Sequence, residues 1–470
     1  MVFSSLIFIY AFLPLCLLIT YLVRSHQAKN IVLLLFSLFF YAWGEPVWVV
    51  LMILTGLFIY GTGLKIDQHR GTPRSKAYLI LAIVGALASL IFFKYAGFLL
   101  ENLNVLFNWH LPIPRFNLPI GISFYTFQIL TYAIDLYRGH AQLATSAANL
   151  LLYEALFPQL IAGPIVRYAD IAEQINHRQV TPAGFSDGIG RFLIGLAKKV
   201  LIANMAGELV AQTLGSHLFD LGVLDAWLGI LAYSIQIYFD FSGYSDMAIG
   251  LGQMFGFQFK ENFNYPFIAV SVTDFWRRWH ISLGTFFRDY VYIPMGGSRK
   301  RQTFNLFVVW FLTGLWHGAS WNFILWGLYF FILFFLERKA FSRLLAHLPV
   351  MFGRLYASIC VFMSWVLFYF TDLDDIATMF KLMFGFSGQE ILGQRSEWLI
   401  LNNLPFLIIA LLASTPVFAY LGRRIHDKMT KNRQHGALAV VTISRNLFLL
   451  FFSTATLVGS SYNPFLYFRF

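Results

Sequence analysis

Residues 304–336 read FNLFVVWFLTGLWHGASWNFILWGLYFFILFFL, 33 positions without one Asp, Glu, Lys or Arg. A helix that is apolar all round belongs inside a protein or inside a bilayer. As one helix this stretch would be ~50 Å long at 1.5 Å per residue, against a hydrocarbon layer of about 30 Å. A break at 318–322 is simpler than a steep tilt. Either way His317 lies deep, with a short apolar run on each side.

The whole chain has the same character. Of 470 residues, 58% are hydrophobic and 12% charged, where a soluble domain has about 45–50% and about 25%. There are too few polar side chains to cover a water-facing exterior. That excludes a cytosolic enzyme, a nucleic-acid binder and a disordered scaffold. The net charge of +11 would point to a polyanion in a soluble protein. Here it is explained by basic residues gathered in short cytoplasmic loops. Aromatics make up 19%, with 52 Phe, and most read as lipid-facing or helix-packing surface. Cys16 and Cys360 sit in apolar runs as small buried hydrophobes, which suggests neither a disulfide framework nor a metal site.

Besides 304–336, apolar runs at 5–23, 47–64, 77–100, 118–136, 148–166, 189–213, 227–249, 350–370, 399–421 and 438–460 are candidate spans. Residues 31–43 are too short to cross upright. About eleven or twelve crossings of ~20 residues are expected. The first run lacks the basic start of a signal peptide and reads as a retained helix. If 31–43 and 47–64 form a hairpin, the basic clusters at 24–29 and 65–76, set against the charge-balanced 101–117 (Glu101, Arg115), put those two loops in the cytoplasm and the N-terminus outside. Loops 299–301 and 423–433 are cytoplasmic by the same rule.

No internal repeat is visible, but breakers are frequent: Leu118-Pro119-Ile120-Gly121, Phe157-Pro158, Gly163-Pro164 and Ile293-Pro294-Met295-Gly296-Gly297. Irregular backbone at membrane depth is tolerated where protein or a cavity satisfies it. The expected fold is therefore all-α, a polytopic transmembrane helical bundle with broken or re-entrant helices around an internal tunnel. Residues 1–470 are read as a single integral-membrane domain.

Ionisable groups inside such a body are expensive and point to function. His26, His69, His110, His140, His177, His426 and His435 adjoin polar residues and read as solvated. His217 and His347, at segment edges, are uninformative. Desolvation disfavours a cation, so His317 should be neutral and able to take a proton from a hydroxyl. A structural imidazole bonded to a neighbouring carbonyl is an equal reading by position alone. His280 lies in Asp274-Phe275-Trp276-Arg277-Arg278-Trp279-His280, and on a helix Trp276, His280, Leu283 and Phe287 share a face. This charge-dense helix reads either as an interfacial face or as part of a cavity mouth, with His280 a second proton carrier or positioning group. Asp274 and Arg278 are spaced to pair. Asp240 and Asp246 need an Arg, a hydroxyl or a helix N-terminus. Lys198 and Lys199 either snorkel or meet a donor's phosphates.

The chain has no Gly-Lys-Ser/Thr phosphate loop, no His-Glu-x-x-His and no Gly-x-Ser-x-Gly. A lone buried His without a Ser nucleophile suits transfer of a preactivated group to an alcohol, the protein supplying positioning and a base.

Several ordered motifs then point to a family: the opening Met1–Ser5, Phe157-Pro158-Gln159-Leu160-Ile161-Ala162-Gly163-Pro164, Tyr238-Phe239-Asp240-Phe241-Ser242-Gly243-Tyr244-Ser245-Asp246, Asp274–Leu283, Tyr292–Gly297, Gly314–Ala319 and the closing Phe465–Phe470. Together they resemble the membrane-bound O-acyltransferase family. The similarity is to the bacterial branch that holds the alginate O-acetylation membrane protein and the teichoic acid D-alanyl transfer protein.

The resemblance implies a multi-pass protein of the bacterial inner membrane. It would move an acyl group, acetyl by expectation, from a cytoplasmic thioester donor such as acetyl-CoA. The acceptor would be a hydroxyl of an extracytoplasmic polysaccharide, with alginate the first expectation. A periplasmic SGNH-type acetyltransferase partner would complete the transfer. No bound cofactor, metal or nucleic acid is implied. It also implies that His317 is the family's membrane-embedded histidine and His280 its second. Trp316, Arg277, Arg278, Asp274 and Asn322 are the candidate substrate-binding residues, the arginines for the donor's phosphates. D-alanyl, peptidoglycan- or cellulose-directed transfer is the alternative within the family. A secondary transporter is the rival outside it, and it predicts two-fold repetition and dispersed polar sites. A non-catalytic membrane anchor predicts that His317 is replaceable.

Overall fold

A computed structural model describes every residue except 115, 162, 216, 342–344, 346, 460–464 and 467–470. Arg115, Ala162, Ser460 and the last four residues of the closing motif therefore lie outside the described residues. Among the described residues there is no strand. The protein is an all-α polytopic helical bundle, as the composition requires. It forms two compact units, one of Met1–Phe192 with Tyr244–Lys260, the other of Leu193–Gly243 with Glu261–Phe470.

The first unit holds α1 (Leu13–Leu22), α2 (His26–Ala42), α3 (Trp48–Gln68), α4 (Pro73–Phe107), α5 (Ile122–Arg138), α6 (Ala147–Ala155), α7 (Phe157–Leu160), α8 (Tyr168–Asn176) and the start of α9 (Pro182–Ala197). Helix α4 opens with Pro73 in its first turn and stops at Asn108, whose left-handed backbone returns its N–H to the Asn104 carbonyl; both are standard helix punctuation. The break expected at 118–121 is real, with Gly121 left-handed immediately before α5. The span expected at 148–166 is not one helix. Pro158 has no N–H to give the preceding turn, and the chain bends at Leu156 between α6 and α7.

The second unit continues from α9 through a π-helical stretch, Lys198–Ala203, into α10 (Asn204–Gln212) and then α11 (Val223–Met254), whose residues from Tyr244 on count with the first unit. Next come α12 (Val272–Arg278), α13 (Ile281–Phe287), α14 (Gln302–His317), α15 (Trp321–Leu336), α16 (Val350–Tyr369), α17 (Leu373–Met383), α18 (Gln394–Ala413), α19 (Val417–Lys431) and α20 (His435–Gly459). The run at 304–336 breaks at Gly318, as read from its length. The run at 399–421 also breaks, contrary to expectation, because Pro416 stands just before α19 and keeps its predecessor out of the helical region.

Among the described residues, five helices are long and apolar enough to cross a membrane: α3, α4, α16, α18 and α20. Of the other expected crossings, 227–249 lies inside the 32-residue α11, and the rest are shorter or interrupted. The lipid-facing character is plain on α20, where Leu447, Phe448 and Phe451 are all exposed. Cys16 and Cys360 are both buried and free.

Without a hydrophobic drive between helices in lipid, close packing must come from small residues. Helices α14 and α15 meet this way. A Cβ on Gly314 would collide with the Phe323 carbonyl, and one on Gly327 with the Trp310 carbonyl. The core beside them holds Trp326, Phe330, Trp365 and Phe368.

Candidate active site

His317 is the last residue of α14. Gly318 then adopts an extended backbone, and α15 starts at Trp321. The imidazole is 4% exposed. Its ring packs edge-on against Trp326 at 4.8 Å and Phe368 at 5.1 Å, and lies near-parallel to Phe323 at 6.4 Å. The residue read as deep from sequence is therefore held in an aromatic cage built from α14, α15 and α16. Position 318 must stay small, since a side chain there would run into the Phe323 ring.

His280 is also buried, at 1% exposed. It does not share a helix with Trp276, as the face reading assumed. Helix α12 ends at Arg278, and His280 takes a left-handed backbone (φ 45°) before α13 begins. The junction is held by Asn262: its carbonyl accepts from the Ile281 N–H at 3.0 Å. Its side-chain oxygen accepts from the Ser282 N–H at 3.0 Å and the Ser282 hydroxyl at 2.9 Å. A backbone N–H can only donate, so that contact fixes Oδ1 as the atom facing it. His280 Nδ1 lies 3.3 Å from the same oxygen and so carries the ring proton, which leaves the lone pair on Nε2.

Trp316 stands between the two histidines. Its ring lies 5.7 Å from His280 and 5.0 Å from His317. The site thus brings together three residues named from the sequence. It also contains Asn262, Trp326, Phe323 and Phe368, which the sequence did not mark. Asn262 follows Lys260-Glu261 in the sequence. In the structure it is fully buried.

A cavity of about 1140 Å³ lies along α12 and α14; its lining includes Ile281, next to His280, but neither histidine nor Trp316. Along α14 it is lined by Gln302, Leu306, Val309, Trp310 and Thr313, the spacing of one helix face. His317 is the next residue of that face, one turn past Thr313. Thr273, Trp276 and Arg277 of α12 line it from another side, with Arg288 and Arg338. The charge-dense segment is therefore part of a cavity wall rather than a free interfacial helix.

The other polar residues sort clearly. Arg278 is held by Asp274 at 2.9 Å, whereas Arg277 faces the cavity. Asn322 is fully buried; its amide donates to the Leu367 carbonyl at 3.1 Å and its oxygen accepts from the Ser320 hydroxyl. Asp246 meets Arg191 at 2.6 Å. Asp240 meets Lys199 at 2.7 Å, both side chains almost fully buried, and also accepts from the Leu466 N–H. Lys199 neither snorkels nor stands ready for phosphates.

The profile of the membrane-bound O-acyltransferase family matches residues 33–374. The chain belongs to this family. It is 40% identical to the "Probable alginate O-acetylase AlgI" of Azotobacter vinelandii over 87% of this chain and 83% of the relative. It is 38% identical to the protein of the same name in Pseudomonas putida, over the full length of both. A peptidoglycan O-acetyltransferase of Helicobacter pylori is 32% identical over all of this chain and 98% of its own. The protein is a multi-pass membrane O-acyltransferase, and the transporter alternative falls away.

Proposed function

We propose that this acyltransferase accepts an acetyl group from acetyl-CoA entering from the cytoplasm and moves it toward hydroxyls of exported alginate. On this reading it sits in a bacterial inner membrane, and a periplasmic SGNH-type partner completes delivery to the polymer. The observation that carries the reading is the face of α14, on which five cavity-lining residues lead to His317 one turn further on. The acetyl thioester lies along this face with its phosphates toward Arg277 and Arg338; Arg288 is held by Asp289 at 2.6 Å. Guanidinium groups suit phosphates because their donors form a fixed fork.

The chemistry is then one exchange. The acceptor hydroxyl oxygen bonds to the thioester carbonyl carbon while His317 takes the hydroxyl proton. The carbon–sulfur bond breaks, and the leaving thiolate recovers that proton from the imidazolium. No net proton is consumed, and the thioester supplies the driving force. His280 supports this as an oriented imidazole with its lone pair on Nε2, and Trp316 keeps the two rings apart. Identity is higher to the alginate-named relatives than to the peptidoglycan-named one, which supports alginate as the polymer.

The test is His317→Ala at unchanged membrane abundance, with ester-linked acetate measured on the exported polymer. Loss of a general base costs roughly 10²- to 10⁴-fold in rate, so acetate should fall to background. Unchanged acetate overturns the reading. Supplying membranes with labelled acetyl-CoA, then hydrolysing alginate and peptidoglycan separately, identifies donor and polymer.

A further inference from the structure

Glu337 closes α15 and is 4% exposed, yet it bonds to a different helix. One carboxylate oxygen accepts from the Val272 N–H. The other accepts from the Thr273 N–H at 3.0 Å and the Thr273 hydroxyl at 2.6 Å. Ser271 completes the set, its hydroxyl accepting from the Asp274 N–H at 3.0 Å. The first N–H groups of a helix have no partner within it. In α12 three consecutive ones are met, two of them by this remote carboxylate. Bonds to a charged acceptor are about twice as strong as neutral ones.

Helix α12 has only seven residues, too few to hold a direction by its own hydrogen bonds. Its course is set by what grips its ends. At the far end Asn264 donates to the Arg278 carbonyl at 2.9 Å and Asn262 holds the turn at His280. In between, Trp276 packs against Trp310, Trp326 and Phe330. A closed frame results. From His317 the chain passes along α15 to Glu337, across its carboxylate to α12, and along α12 to His280, whose ring returns to Trp316.

We propose that Glu337 is a positioning residue for acyl transfer: its carboxylate sets the direction of α12 and thereby holds His280 in register with His317. The inference rests on the proposed roles of those histidines. Displacement of a reacting group by ~1 Å can cost about 100-fold in rate, so loosening one end of α12 should be felt in turnover.

The experiment uses membrane vesicles containing the full chain, given labelled acetyl-CoA over a range of concentrations, with rates normalised to folded protein. Glu337→Ala should lower kcat per folded molecule at least tenfold, change the apparent KM for acetyl-CoA less than threefold, and lower the thermal midpoint in detergent, because the Val272 and Thr273 donors lose their acceptor. Glu337→Gln, which keeps one acceptor oxygen, should recover part of the rate. Thr273→Val added to Glu337→Ala should cost nothing further, because both remove the same grip. A raised KM with parental kcat would mean Glu337 touches the donor, and overturns the proposal. Parental turnover per folded molecule overturns it as well. His317→Ala in the same assay separates the layers: if it is fully active, the underlying site is wrong; if it is dead while Glu337→Ala is parental, only this inference fails.

Discussion

Asn262 shows how much one side chain can decide at this site. Its oxygen takes the Ser282 N–H and hydroxyl and faces His280 Nδ1, so it fixes both a turn and a tautomer. Replacing it with Leu keeps the branching at Cγ and removes the acceptor. Each buried donor left without a partner costs about 1–3 kcal/mol, so a lowered thermal midpoint in detergent is expected. The imidazole also loses the group that dictates which nitrogen bears the proton. Acetyl transfer per folded molecule should therefore fall more than stability alone predicts; a rate that merely tracks folded abundance would limit Asn262 to a structural role. The Lys199–Asp240 pair makes a cleaner stability case. Removing one partner of a buried pair costs about 3–5 kcal/mol, and Asp240→Leu should deplete the protein from membranes. Lys199→Met on top of it should restore much of the loss, since no unpaired charge remains. Abundance by immunoblot of the single and double variants decides this.

At the level of elements, the break at His317 was legible because its cause is local: the apolar run is too long, and Gly318 and Asn322 mark where it yields. The division at His280 was not legible. No Gly or Pro punctuates Trp279-His280, and the left-handed residue is held by Asn262, eighteen positions earlier in the chain. The same holds for Lys199, whose partner lies forty-one positions away, and for Glu337, which is recognisable as an anchor only once α15 and α12 are side by side. Local breakers can be read from sequence, whereas distant hydrogen-bond partners cannot. The glycine contact of α14 with α15 can be tested in the same terms. Gly327→Val forces a branched side chain against the Trp310 carbonyl, and backbone cannot step aside. Overpacking costs typically about 1–3 kcal/mol, and here it also pushes α14 and His317 away from the cage. Both membrane abundance and acetyl transfer should drop. Gly284 lines the cavity with open space at its Cβ position, so Gly284→Ala should be present at parental levels. If Gly327→Val is equally abundant and active, the close contact is not what sets this hairpin.

For the whole molecule, composition settled the solvent and the fold class, and the distribution of basic residues bears on direction. The Arg299–Arg301 cluster lies directly before α14, and short loops rich in Lys and Arg stay cytoplasmic. Gln302, the first residue of α14, lines the cavity, and so does Thr313, eleven positions on. At 1.5 Å per residue the cavity follows α14 for about 17 Å and stops one turn short of His317. If the loop is cytoplasmic, the cavity opens to the side where a soluble thioester would be supplied, and the histidine lies at its inner end. A single cysteine at position 302, in a chain whose Cys16 and Cys360 are both replaced by Ala, should react with a membrane-impermeant maleimide in inverted vesicles and not in intact spheroplasts. Acetyl-CoA should slow that labelling in proportion to its occupancy of the cavity, and Arg277→Ala should raise the concentration needed. A cysteine at position 427, in the basic C-terminal half of α19 rather than in the loop expected at 423–433, serves as a control: labelled from the same side, but indifferent to acetyl-CoA. Labelling of position 302 from outside would reverse the direction of donor entry. Labelling from inside without protection would leave the cavity open to the cytoplasm but remove it as the donor's place.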